Sequence, residues 1–215
     1  MVEIEENKNP ESLTFSVLII VDAVTNRLTK LLESVFSQDG SLVPVIVVCG
    51  RACQELDSRE LDHEKTTILE PGEWWHIASS SSFGRKICFG LSRIKTESVL
   101  IVGDDSVLPN FFFKRILKRC LDLMLLDNLS FLGSKDSVWG DFAQNNSRGN
   151  IEFKAFQKPV TRCEYVEGIM IVRMVGLSVL FEQMRLVRSR KEFFYLTQQE
   201  GLRTGVTHSL RFWKN

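Results

Sequence analysis

The sequence predicts a doubly wound α/β domain, a Rossmann-like α/β/α sandwich around a mostly parallel mixed sheet. Three observations carry that expectation. Short continuous apolar runs rich in β-branched residues recur, as strands buried on both faces require. Amphipathic stretches of helical period alternate with them. One apolar run ends abruptly in two adjacent carboxylates, Asp104 and Asp105.

Residues 1–13 are polar and acidic and read as a tail, leaving 14–215 as one domain. Phe15 to Val21 (FSVLIIV) is the first buried strand. Asn26 to Ser37 follows as a helix, with Leu28, Leu31, Leu32, Val35 and Phe36 on one face and Asn26 as its cap. Gln38-Asp39-Gly40 stops it. Val43 to Val48 is the second strand and completes a β-α-β unit of ordinary crossover size. Thr66 to Leu69 is a third, short strand, and Phe83 to Ile94 a helix. Ser98 to Val102 is the next buried strand, and Gly103-Asp104-Asp105 follows at once. Asn110 to Leu126 is expected to be a helix burying Phe113, Ile116, Leu117, Cys120, Leu121, Met124 and Leu125. The second half is less regular. Ser130 to Leu132 and Tyr165 to Val172, the latter broken by Gly168, read as strands. Val175 to Met184 and Phe193 to Glu200 read as helices, and Val206 to Phe212 as a last strand or tail.

Composition narrows the function classes. A chain of 215 residues suits one α/β domain. Lys plus Arg equal Asp plus Glu at 27 each, so no overall basic excess points to nucleic acid or to a membrane surface. No apolar run approaches the roughly 20 residues of a transmembrane helix, and the first residues lack the pattern of a signal peptide. The five cysteines are odd in number and none has zinc spacing. Reduced thiols in a cytoplasmic setting are the expectation, with Cys49 and Cys120 as packing residues.

The chemistry concentrates at strand ends. Adjacent carboxylates repel, and a divalent cation relieves that repulsion while also holding phosphate oxygens. Asp104 and Asp105 therefore read either as such a site or as an acidic turn before the helix that Pro109 starts. Asp22, after the first strand, reads as a sugar-hydroxyl acceptor or as a helix cap. Arg85 and Lys86, beside Gly84, offer cations suited to a diphosphate or to a solvated helix face. Trp74, Trp75 and Trp139 lie in loop-like segments, where they stack on a sugar or anchor the loop.

The segment LLESVFSQ and the later IKTESVLIVGDDSVLP, set in this order of strands, resemble the nucleotide-sugar glycosyltransferases of the GT-A fold. The pattern is similar to family 2 members, with their "LLxSVxxQ" helix and "DDDxxLP" strand end. IKTESVL is also similar to the exostosin-type transferase domain. The resemblance implies a nucleotide-sugar half at 14–110 and an acceptor half at 111–215. It implies a UDP- or GDP-sugar donor, a glycan, lipid or protein acceptor, and Mn²⁺ or Mg²⁺. The family's DxD motif falls on Gly103, Asp104 and Asp105, which makes Asp105 the metal ligand and Gly103 a departure from the pattern. Val21, Asp22 and Ala23 fall where the first strand meets the nucleoside, and Arg51 falls near the phosphates. Arg85 and Lys86 fall on the basic helix before the motif. An inverting transferase needs a base near the acceptor hydroxyl. Glu192 is the nearest carboxylate to the family's position, Glu167 stands second, and His208 falls where some members add a metal ligand. Two other readings stay open. One is a degenerate, non-catalytic binding domain, favoured by Gly103 and Cys49. The other is a nucleotidyltransferase, which would want glycines where Asp22-Ala23-Val24-Thr25 stands.

Overall fold

The computed structural model describes residues 15–21, 26–38, 45–49, 66–69, 83–103, 106–134, 159–166, 168–184, 187, 189–210 and 213–214. The elements of the first half are β1 (Phe15–Val21), α1 (Asn26–Phe36), β2 (Val45–Cys49), β3 (Thr66–Leu69), α2 (Phe83–Leu91), β4 (Ser98–Gly103) and β5 (Ser106–Val107). Helix α3 follows, a π-type turn at Phe112–Leu117 continuing as α-helix over Lys118–Leu126. Next come β6 (Phe131–Ser134), β7 (Thr161–Arg162), β8 (Met170–Arg173), a 3₁₀ turn (Ser178–Leu180) and α4 (Phe181–Met184). The chain closes with α5 (Arg190–Gln199), β9 (Thr204–Thr207) and β10 (Trp213–Lys214).

Eight strands form one sheet in the order β3-β2-β1-β4-β8-β6-β9-β7, and β10 pairs separately with β5. β3, β2, β1 and β4 run parallel to their neighbours. β8 enters antiparallel between β4 and β6, while β6 and β9 run parallel to each other. β6 and β9 therefore share the direction of β4.

The pleat divides the core in two. Val17, Ile19 and Val21 of β1, with Leu100 and Val102 of β4, pack under Leu28, Leu31, Leu32 and Val35 of α1 and under Phe112, Phe113 and Leu117 of α3. Leu18, Val99, Ile101 and Phe131 face the other way, against Ile87 and Leu91 of α2 and Phe193 and Phe194 of α5. The expected sandwich follows directly, because both faces of the central strands are apolar.

Several expectations on the second half need correction. α3 buries Phe112 as well as Phe113 and leaves Leu125 61% exposed, because the wider π turn adds a residue to the buried face and the stripe then ends at Met124. The strand expected from Tyr165 begins only at Met170, since Gly168 takes φ 74 and breaks the extended backbone. The helix expected from Val175 is a 3₁₀ turn and one short α turn, because Gly176 at φ 83 interrupts its start. The last strand expected at Val206 to Phe212 is instead two separate strands, β9 and β10. Cys120 is buried, as a packing residue should be, and burial pushes its thiol up to about 12.

Candidate functional site

The chain moves outward from β1 to β2 and β3, then returns to the other side of β1 as β4. That reversal opens a crevice beyond the carboxyl ends of β1 and β4, where α/β sheets bind ligands. Ile20 lies level with Gly103 and Val21 with Cys49, so Val21, Cys49 and Gly103 reach the same edge. β8 runs the opposite way, so its amino end and Gly168 come to this edge too. Ser134 of β6 and Thr207 of β9 end there as well, and His208 is the next residue. α5 precedes β9 and begins near this edge, where Arg190 donates to the Val166 carbonyl at 3.3 Å.

Val21 turns its side chain into the core, so only its backbone serves the crevice. Its carbonyl stands within 3.5 Å of the Lys86 amine. Lys86 is in the first turn of α2 and is 3% exposed. Burial lowers its pKa, because the interior penalises the ammonium. The first turn of α2 carries no acidic residue. Gly103 is half-buried. Asp22, Ala23, Arg51, Asp104, Asp105 and Glu167 lie outside the described residues, as does the side chain of Arg85. The same holds for Trp74, Trp75 and Trp139.

Glu192 is exposed and belongs to a capping box: its backbone N–H bonds the Ser189 hydroxyl at 3.2 Å, and its carboxylate accepts from the Ser189 N–H at 3.4 Å. Holding the helix start is the role its contacts give it. His208 is exposed and leaves β9, three strands from β4. At about 4.8 Å per strand that is roughly 14 Å across the edge. Among the described residues no three His, Cys, Asp or Glu side chains gather as a metal site.

Sequence reading missed two features. The chain that leaves β9 at His208 crosses back to pair Trp213 with Val107 and Lys214 with Ser106. The residues after Asp105 thus hydrogen-bond to the far end of the chain. Nothing local marks Trp213 for this pairing. The second feature is a polar clamp on α1. The Ser34 hydroxyl donates to the Leu31 carbonyl at 2.7 Å and accepts the Leu108 N–H at 3.1 Å. The Gln38 amide donates to the Pro109 carbonyl at 3.2 Å and accepts the Phe112 N–H at 2.8 Å. These bonds hold Leu108 to Phe112, including Phe111 at φ 60, a conformation unusual for a bulky residue. The SVxxQ and xxLP segments are thus two sides of one contact. A signal existed for Ser34, which falls between Leu31 and Val35 on the apolar stripe of α1.

No family model and no curated protein matches the sequence. Solved structures do match the fold. The 1–349 fragment of TarS from S. aureus has a TM-score of 0.58 at 18% identity, over 93% of this chain and 59% of that one. The mannosyltransferase PcManGT from Pyrobaculum calidifontis, in complex with GDP-Man and Mn²⁺, has a TM-score of 0.58 at 14% identity, over 91% of this chain and 56% of that one. The same TarS fragment in complex with UDP-GlcNAc gives 0.57 at 16% identity, over 93% and 57%. The fold is GT-A-like. This GT-A-like chain spans a little over half the length of those structures. Among its described residues no helix is long and apolar enough to cross a membrane.

Proposed function

We propose that this chain is a glycosyltransferase domain that moves a sugar from a UDP- or GDP-sugar to a hydroxyl of a glycan, lipid or protein. The observation that carries the reading is the register of β1 and β4. It sets Gly103 level with Ile20, so that Asp104 and Asp105 follow β4 at the strand-order reversal. Lys86 and the N-terminus of α2 supply positive potential at the end of β1, which suits a diphosphate. The fold likeness to structures holding UDP-GlcNAc and GDP-Man supports the same donor class.

In this reading Asp22 and Ala23, with the Val21 backbone, meet the nucleoside, and Arg51, Arg85 and Lys86 meet the phosphates. Asp105, beside Asp104, holds Mn²⁺ or Mg²⁺. Such an ion supplies positive charge for the departing diphosphate. Glu192 or Glu167 takes the proton of the acceptor hydroxyl. His208 would join Asp105 only if the segment after β4 reached across β8 and β6. The departure at Gly103 favours a second reading, a domain that binds a nucleotide without turning it over.

Thermal shift with UDP- and GDP-sugars, with and without Mn²⁺, tests the proposal, since a ligand raises stability by RT ln(1 + [L]/Kd). Stabilisation that requires Mn²⁺ and disappears in Asp105→Ala is expected. Equal shifts in wild type and variant would overturn the metal role. Metal-independent binding without transfer would establish the second reading.

A further inference from the structure

The chain is neutral as a whole, yet its charges are not evenly placed. Lys114, Arg115, Lys118 and Arg119 are all exposed on α3, four residues apart in two pairs, and so share its outer face. Apolar groups bracket this basic row. Phe111 precedes it, 47% exposed, with the Arg115 guanidinium 5.2 Å from its ring centroid. Leu125 and Leu126 follow it, at 61% and 82% exposed. The carboxylates of the same helix are Asp122, exposed, and Asp127 at the end, half-buried.

We propose that this outer face of α3 docks on an anionic phospholipid surface. Cations at headgroup level with Phe and Leu at their flanks is the composition of an interfacial helix. The row supplies attraction to lipid phosphates and carboxylates, which juxtamembrane basic clusters exploit. The exposed leucines favour lipid over nucleic acid. A phosphate backbone uses the cations but gives Leu125 and Leu126 nothing apolar to cover.

The placement sets an orientation. Phe113 of α3 packs on Phe15, at the amino end of β1, with ring centroids 4.8 Å apart. The other end of α3 runs into Leu129, whose N–H bonds the Met124 carbonyl at 2.8 Å just before β6 begins. The helix therefore crosses the amino-end side of the sheet, and docking through it leaves the carboxyl edge open.

The experiment is co-sedimentation of the full chain with vesicles of phosphatidylcholine alone, or of phosphatidylcholine with phosphatidylserine. Binding about a hundredfold tighter to the anionic vesicles is expected, and it should weaken as salt is raised. Lys118→Gln with Arg119→Gln should lower that affinity about tenfold while leaving the thermal midpoint in place, because both residues are exposed. Leu126→Ser should weaken binding at constant salt slope. Equal binding to both vesicle types, or a double variant that binds as wild type does, would overturn the proposal. So would tighter binding to a duplex oligonucleotide, which would make the row a nucleic-acid face.

Discussion

The two halves of the sheet are built on different physics. On one side β3, β2, β1 and β4 run parallel, with Ile19, Leu100 and Val102 each close to fully buried. On the other side β8, β6, β9 and β7 are two to four residues long and mix directions. Short strands hold few ladder bonds, so aromatic packing supplies what they lack. Phe131 sits edge-on to Phe193 at 5.7 Å and to Phe194 at 5.3 Å, and those two rings meet at 5.3 Å. The parallel half is specified strand by strand, whereas the mixed half is specified by a few side chains that meet only after the chain has folded.

Phe131→Ala breaks the comparison most directly. Its ring is fully buried, so the expected loss is about 3–5 kcal/mol. Urea denaturation followed by hydrogen exchange checks this, and β6, β8 and β9 should lose protection before β1 and β4. Uniform loss across the sheet would mean that the halves are one cooperative unit.

Glu192→Gln separates two roles at the start of α5, in the mixed half. Glutamine also serves in a capping box, so stability should stay within about 0.5 kcal/mol. If Glu192 is also the base, turnover falls by about a hundredfold or more and the pH profile loses its acid limb. Unchanged turnover would leave Glu192 as a cap only.

Gln38→Ala probes the parallel half. It removes the shorter of two bonds made by the Phe112 N–H, which keeps the Pro109 carbonyl at 3.2 Å, at a cost of about 0.5–1.5 kcal/mol by thermal or urea unfolding. A loss below about 0.5 kcal/mol would mean that the bond is replaced by water.

Lys86→Met should raise stability at neutral pH. The amine's pKa is lowered in the fold, so the unfolded chain binds more protons, and wild-type stability rises as pH climbs from the lowered value towards 10.5. The advantage of the methionine variant should therefore shrink over that window. Nucleotide affinity should fall in the variant if the amine meets the phosphates. Thr204→Val is the smallest effect expected. The Thr204 hydroxyl is buried and has no partner among the described residues, so its removal should be neutral or stabilising by less than about 1 kcal/mol.

The legibility of each half follows from the same physics. β1 and β4 were readable because a strand buried on both faces must be apolar throughout, and such runs are visible locally; β2 carries an apolar run of the same kind, and β3 is the shorter TTIL. β8 and β9 were blurred because they are only four residues long and flanked by glycines at positive φ, which leaves little periodicity to count. Within the site, the placement of Gly103 at a strand end follows from the strand boundaries, whereas the approach of Lys86 from α2 to the Val21 carbonyl is a tertiary contact. The clamp of Ser34 and Gln38 on a segment more than seventy residues away does not, although Ser34 on an apolar stripe was in view.

By itself the sequence determined the α/β class, the strands of the parallel half and the position of the acidic pair after β4, because burial on both faces and helical period are written residue by residue. Only the tertiary structure decided the strand order that reverses at β1, the antiparallel entry of β8 and the return of Trp213 to β5. Those depend on which distant surfaces fit together, and a pairing between distant segments leaves no mark on either one alone.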